Sequence, residues 1–351
     1  MEREKVAGPI RVRHNRLNEK SLIVGLGIVL LMLLLVFRII NMTVIESNPY
    51  KIHGALSVKG SQLVDSNGKP FQLKGVSTDG VGKYPQYVNR RAFKTLRDKW
   101  GVNVIRLALY TEEYNGYLSG GDQKELESVI DHGVRYCSDL GMYCIIDWHI
   151  LSDYNPNMHR QEAADFFKKM SLRYKDRDNV LYEICNEPSH GTSWRQVKSY
   201  AEYILEELRQ NSPDAIVLIG TPEWCQDVDL AAEDPLTDYK NIMYTCHFYA
   251  ATHKEEERAK LNRALDMDCP VFISEFGICG HKRDGTLDKK SAEEWKKIIR
   301  AHGLSFCAWN LSNKKEDFAL IKPNVNKLSG WHTWDLTASG KWVLNMIKYP
   351  W

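Results

Sequence analysis

The sequence predicts an α/β protein, a (β/α)8 barrel of the TIM type behind an N-terminal transmembrane anchor helix. Three observations predict it. Eight short runs from residue 70 onward are apolar on both faces, as strands covered on two sides are. Each is followed by a helix or by a loop containing one, and eight such units between residues 41 and 351 suit a barrel of about 250 residues. No Gly-x-Gly-x-x-Gly loop follows an early strand, as a doubly wound dinucleotide-binding sheet would want.

Composition narrows the class. A hydrophobic content of 43% with 26% charged residues supplies a large core and excludes a disordered chain. Residues 1–40 carry seven Lys/Arg against three Glu, a surplus of +4, so the net +2 of the whole chain leaves −2 for the remainder. That balance gives no reason to expect a nucleic-acid partner. The eight Cys stand singly, with no Cys-x-x-Cys and no His at zinc spacing, so free thiols are expected.

In chain order, residues 1–20 read as a basic cytoplasmic segment. Ser21–Phe37 is an uninterrupted uncharged, mostly apolar run, followed by Arg38, and 21–40 is read as a signal anchor. Six of the seven basic residues precede the run, which orients the rest outward. No small-x-small site follows closely, so an uncleaved anchor is expected, with secretion after cleavage as the alternative. Residues 41–57 read as a linker and 58–351 as the catalytic barrel. Asp65-Ser-Asn-Gly68 is a turn between the short runs Val58–Val64 and Pro70–Lys74. Pro70–Lys74 is taken as the first barrel strand. The remaining strands are expected at Val104–Leu109, Tyr143–Asp147, Val180–Ile184, Ala215–Ile219, Ile242–Thr245, Val271–Ser274 and Ser305–Ala308. Helices are expected at Arg90–Trp100, Lys124–Leu140, Gln161–Tyr174, Trp194–Asn211, Val228–Glu233, Glu255–Leu265, Asp288–His302 and Ser339–Met346. The spacing Val197, Ala201, Ile204, Leu205, Leu208 is typical of their buried faces.

Barrel chemistry sits at the C-terminal ends of strands. Those ends carry Arg106 and Tyr110, Asp147 and His149, Asn186 and Glu187, His247 and Tyr249, Glu275, and Trp309 with Asn310; Trp224 follows strand five. Pro188 has no N–H for a ladder, which leaves Glu187 at a tip. Two carboxylates at opposite sides of one mouth are what glycoside hydrolysis requires, one as proton donor and the other attacking or activating water. Glu183, which lies out of phase before the tip, and Glu223, on a loop, fit these roles less well. Asp147 is placed to orient the ring of His149.

From Val58 to about Lys348 the chain resembles glycoside hydrolase family 5, in the branch of bacterial endo-β-1,4-glucanases. The matching stretches are Val104-Ile-Arg-Leu-Ala-Leu-Tyr110, Ile145-Ile-Asp-Trp-His-Ile-Leu151, Tyr182-Glu-Ile-Cys-Asn-Glu-Pro188, His247-Phe-Tyr249, Ile273-Ser-Glu-Phe-Gly277 and Ala308-Trp-Asn-Leu-Ser312. The resemblance implies a retaining barrel enzyme with Glu187 as acid/base and Glu275 as nucleophile. It implies that Arg106 and Tyr249 hydrogen-bond the nucleophile, that Asn186 meets the sugar 2-hydroxyl, and that His149 and His247 line the central subsite. Trp309 would be the sugar platform there, Trp224 an aromatic on the leaving-group side, and Lys314 a polar contact on the glycone side. Two positions depart from the pattern: Asp79-Gly80 stands where the branch has His-Gly, and Lys83-Tyr84 where it has a Trp, with Tyr84 or Tyr87 as substitutes.

The expectation is a membrane-anchored extracellular enzyme with a monomeric catalytic domain, cleaving β-1,4-glucan with no cofactor or metal. Its rivals are a hydrolase of another β-glycan (mixed-linkage glucan, xyloglucan or mannan) and a weakly catalytic glycan-binding tether.

Overall fold

The structure, a computed structural model, describes residues 19–40, 45–282 and 285–349, with side chains in the first stretch only at 23–33. The first stretch is one helix, Glu19–Ile40. The apolar side chains described there, among them Ile23, Leu26, Leu30 and Leu33, are exposed. Among the described residues no helix is long and apolar enough to cross a membrane. The ends of the expected anchor, and the basic segment up to residue 18, lie outside the described side chains.

The second unit, residues 43–350, holds the barrel. A hairpin of β1 (Ser57–Lys59) and β2 (Gln62–Val64) comes first. Eight parallel strands then close in sequence order: β3 (Lys74–Thr78), β4 (Val104–Tyr110), β5 (Tyr143–His149), β6 (Val180–Glu183), β7 (Val217–Ile219), β8 (Ile242–Tyr249), β9 (Val271–Gly277) and β10 (Ser305–Leu311), which pairs back onto β3. Every residue of β4 through β10 is buried, as the continuous apolar runs required. Leu73, Val104, Tyr143, Ile145, Leu181, Leu218, Met243 and Phe272 form one cluster, which Leu56, just before the hairpin, and Leu63 within it join.

The helices shield the strands from outside. Trp194–Arg209 shows how the sequence sets one. Ser193 and Gln196 form a capping box at its start, and Val197, Ala201, Ile204, Leu205 and Leu208 are buried on one face. The helix expected at Arg90–Trp100 is α-helical to Thr95 and ends in a π-helical turn, Leu96–Trp100. Gly101, with φ +85°, reverses the chain there in the left-handed region.

Three expectations shift. The first barrel strand lies at Lys74–Thr78 rather than Pro70–Lys74, because Phe71 N–H turns back to Leu63 O at 2.9 Å and prolongs the hairpin. Strands β5, β8 and β10 run on to His149, Tyr249 and Leu311, because their polar tips are themselves buried in the ladder. The stretch expected as a linker contains a short helix, Pro49–His53, started by the Asn48 side chain and by Pro49. It is bound to the barrel: Tyr50 N–H donates to Gly141 O (2.8 Å), and the Tyr143 hydroxyl to Gly54 O (2.7 Å). None of the eight Cys is in a disulfide, and all are buried.

Trp295, fully buried, stacks on Phe248 at 4.1 Å and 3° and fastens a helix to the outside of β8. Trp295→Ala should cost about 3–5 kcal/mol in urea unfolding, the usual price of emptying a large aromatic site.

Candidate active site

The site begins with Arg106 on β4, between Ser77 on β3 and Ile145 on β5. Its guanidinium is fully buried, so it needs counter-charges close by. Nε and Nη2 donate to the two oxygens of Glu183 (2.7 and 3.0 Å), and Nη2 also donates to Asn186 Oδ1 (2.7 Å). Nη1 donates to Glu275 Oε2 (3.1 Å), and Asp147 lies 3.1 Å from Nη2. The Tyr249 hydroxyl donates to the other oxygen of Glu275 at 2.5 Å. Burial and nearby Glu187 raise Glu275 above the ordinary carboxyl range, and the Arg106 charge opposes that rise. Two donors on its oxygens favour the ionised form.

Glu187 has a different environment. It follows β6, is buried, and faces Nδ1 of His247 at 3.0 Å. Burial pushes Glu187 up to about 8. Burial also lowers His247 to about 4, so at neutral pH this imidazole carries a single N–H. The remaining contacts locate that hydrogen. The Ser274 hydroxyl donates to Glu183 Oε1 (2.8 Å) and lies 2.8 Å from His247 Nε2. With its one hydrogen committed to Glu183, Ser274 accepts from Nε2–H. Nδ1 is then a lone pair, and its contact with Glu187 is made only if Glu187 holds a proton and donates it. Geometry and burial both place the shared proton of the carboxyl pair on Glu187. An oxygen of Glu187 lies within 4.8 Å of one of Glu275, close to the ~5–5.5 Å at which retaining carboxyl pairs sit.

Around this pair lies a cavity of about 490 Å³. It brings together Tyr110, His149, Glu187, Trp224, His247, Tyr249, Glu275 and Trp309, all expected from the sequence. His149 donates from Nδ1 to Asp147 (2.6 Å), and burial lowers it to about 3, so it is neutral. Its ring stacks on Trp309 at 5.1 Å and 9°, which makes one flat wall. Asn186 and Arg106 lie beneath the cavity rather than on its lining. The Asn186 amide is engaged at both ends, accepting from Arg106 and donating to Ile150 O (3.0 Å). Lys314 stands to one side, paired with Glu316 (2.9 Å) and Asp79 (3.5 Å).

Trp224 is presented by an unusual turn. Glu223, Trp224 and Cys225 all have positive φ (52°, 55° and 61°), a conformation that costs a non-glycine residue about 1–2 kcal/mol. The turn is held at several points. Trp224 N–H donates to Pro188 O (3.0 Å), the Cys225 thiol to Asn186 O (2.8 Å), and the Thr245 hydroxyl to Cys225 Sγ (3.1 Å).

Several residues were not legible as part of the site. Glu183 is fully buried and chelates Arg106, although its phase had marked it as a lesser acid. Ser274 fixes the tautomer of His247. At the two positions the sequence had marked as departures, Asp79 is buried against Lys314, and Lys83 sits over the Tyr110 ring at 3.6 Å. Tyr87 cannot replace a lost sugar platform, because it is fully buried and stacked on Trp331; Tyr84 is half-buried beside it. Glu187, His247 and Glu275 are the only grouping at metal-ligand spacing among the described residues. The Arg106 guanidinium, 3.1 Å from Glu275, opposes a cation there.

A family model described as cellulase (glycosyl hydrolase family 5) matches residues 64–315. Endoglucanase A of Butyrivibrio fibrisolvens is 47% identical over 301 residues, covering 85% of this chain and 70% of its own. An endoglucanase of Clostridium saccharobutylicum is 44% identical over 315 residues, covering 87% and 69%. Of solved structures, cellulase Cel5C_n matches with a TM-score of 0.82 at 37% identity, covering 87% of this chain and 95% of that one. A variant of the Thermobifida fusca endoglucanase Cel5A catalytic domain in complex with cellotetraose matches with a TM-score of 0.79 at 32% identity, covering 86% and 99%.

Carbon-13 NMR of labelled glutamate should show Glu187 titrating near pH 8. In Ser274→Ala the ring of His247 is free to donate from Nδ1 instead, which stabilises the carboxylate, and the titration should fall by about one unit. An unmoved titration would exclude the tautomer assignment.

Proposed function

The chain belongs to glycosyl hydrolase family 5, and from that premise we infer that it is a retaining endo-β-1,4-glucanase, hydrolysing internal β-1,4 bonds of cellulose-type glucan by double displacement. One observation carries the mechanism: two buried carboxyls at retaining distance, one held ionised by Arg106 and Tyr249, the other held protonated by the His247–Ser274–Glu183 chain.

In the first step Glu275 attacks the anomeric carbon and forms a glycosyl ester. The glycosidic C–O bond breaks, and Glu187 gives its proton to the departing oxygen. In the second step Glu187, now a carboxylate, takes a proton from water. The oxygen of that water attacks the anomeric carbon, and the ester bond to Glu275 breaks. Two inversions leave the configuration unchanged, and Glu187 ends protonated as it began. Arg106 keeps Glu183 and Asp147 as partners while the charge of Glu275 is consumed, so it is not left buried without a counter-ion.

The wall of His149 and Trp309 takes the sugar at the cleavage point, and Trp224 takes the ring on the leaving side. On the glycone side the set of Asp79, Lys83 and Lys314 replaces stacking with hydrogen bonding. The cellotetraose in the Thermobifida fusca relative supports an oligosaccharide lying along this cleft. For location, we propose that Ser21–Phe37 anchors the enzyme in a membrane with the barrel outward. The support is the unbroken apolar run, its helical backbone and the basic residues ahead of it.

The test is reducing-end release from carboxymethylcellulose, mixed-linkage glucan, xyloglucan and glucomannan, with Glu275→Gln as the blank. Carboxymethylcellulose should be cleaved and the variant silent; preference for another polymer would change the substrate and keep the mechanism. Glu187→Gln should lose about 10²–10⁴-fold in rate. Because the acid works only while protonated, kcat/KM should fall as pH rises through about 8.

A further inference from the structure

A second groove lies on the outer flank of the barrel and shares no lining residue with the catalytic cavity. It has a volume of about 600 Å³ and runs between the helical stretch 90–100, the segment 329–334 and the C-terminal helix Ala338–Lys348. On the first of these its lining comes from residues 91, 94, 95, 98, 99 and 100. Residues 91, 94 and 95 share one face of the α-helical part, and 98–100 continue the lining along the π-helical turn.

Two features of this groove are unlike the rest of the surface. The first is Trp334, exposed at 66%, the most exposed Trp among the described residues. It is not a loose side chain. Its ring stacks on His332 at 4.3 Å and 14°, within a 3₁₀ turn whose His332 N–H donates to Asp335 (2.7 Å), which Lys327 also pairs. The turn is anchored on the neighbouring helix by Gly330 N–H to Thr95 Oγ1 (3.0 Å). The result is a fixed flat ring with one face backed and the other open, the form of a platform for the apolar face of a pyranose.

The second feature is charge. Arg91, Lys94, Lys99 and Lys348 line the groove against a single carboxylate, Asp98, which already pairs with Lys94 and Arg97. The catalytic cavity is the reverse: Glu187, Glu223, Glu257 and Glu275 line it with no Lys or Arg. A polymer bearing carboxylates on successive sugars is drawn to the groove by this basic lining. We propose that this groove is a second glycan-binding site, which docks an acidic polysaccharide with uronic-acid residues, Trp334 stacking on a sugar ring and the basic row meeting its carboxylates. The enzyme then holds one matrix polymer while it cuts another.

The experiment is affinity electrophoresis of the full chain in gels containing polygalacturonate, with neutral β-glucan and polyglutamate gels beside it. Polygalacturonate should retard the wild type, and added salt should weaken the retardation. Trp334→Ala, a change at an exposed site, should weaken it about tenfold or more, and Arg91→Glu with Lys99→Glu should remove it. All three proteins should hydrolyse cellotetraose at the same rate. No retardation of the wild type, equal retardation of Trp334→Ala, or equal affinity for polyglutamate would each overturn the proposal, the last by reducing it to charge alone. Loss of hydrolysis in all three with retardation intact would count against the catalytic assignment and leave the docking site standing.

Discussion

The mouth of the barrel depends on burying the Arg106 guanidinium. A cation of that size out of water is tolerated only with its partners around it. It draws carboxylates from three other strands or strand ends: Asp147 on β5, Glu183 on β6 and Glu275 on β9. Four strands are thus registered to one another by one side chain. The charges do not balance, since three carboxylates surround a single cation. Burial is the main cause that raises Glu187 and keeps its proton on; within the cluster Arg106 opposes it, and Asp147 and Glu183 reinforce it. One ion cluster therefore sets both members of the catalytic pair. It anchors the ionised one directly and biases the other through its field.

Much of this was legible in the sequence for one reason. Barrel strands are covered on both faces, so they are written as apolar runs, and the polar residues that end such runs stand out. Glu187, Glu275, His247 and Trp309 were found that way. Glu183 was not, because a residue inside the run was judged by its phase. A better signal was present: an acid within a doubly buried strand demands a counter-charge, and Arg106 sits within another such strand. Ser274 gave no signal, since a small hydroxyl beside a carboxylate is unremarkable until its neighbours are known. The first barrel strand was misplaced because alternation alone cannot tell a hairpin arm from a barrel strand.

The left-handed turn at Glu223–Cys225 shows how the leaving side is built. The Cys225 thiol grips the carbonyl of Asn186, the residue just before the acid, while the next residue back, Trp224, faces the cavity. The aromatic ring and the proton donor are therefore referenced to the same peptide group. The spacing between ring and acid is a property of the backbone rather than of mobile side chains, and the strain of three positive φ angles is the cost of that precision.

The eight buried thiols have a consequence for how long the enzyme lasts rather than how fast it works. No disulfide crosslinks the barrel, so packing, strand pairing and the buried ion cluster hold it closed. While closed, it offers no sulfur to oxidants. Each opening that reaches the strands exposes several at once, and over many openings in an aerated medium oxidation of those sulfurs traps chains that would otherwise close again. Inactivation then becomes a one-way process timed by the rate of opening. Two preparations of equal equilibrium stability would survive differently in air and under nitrogen, and working life would be set by the oxygen around the protein as much as by its sequence.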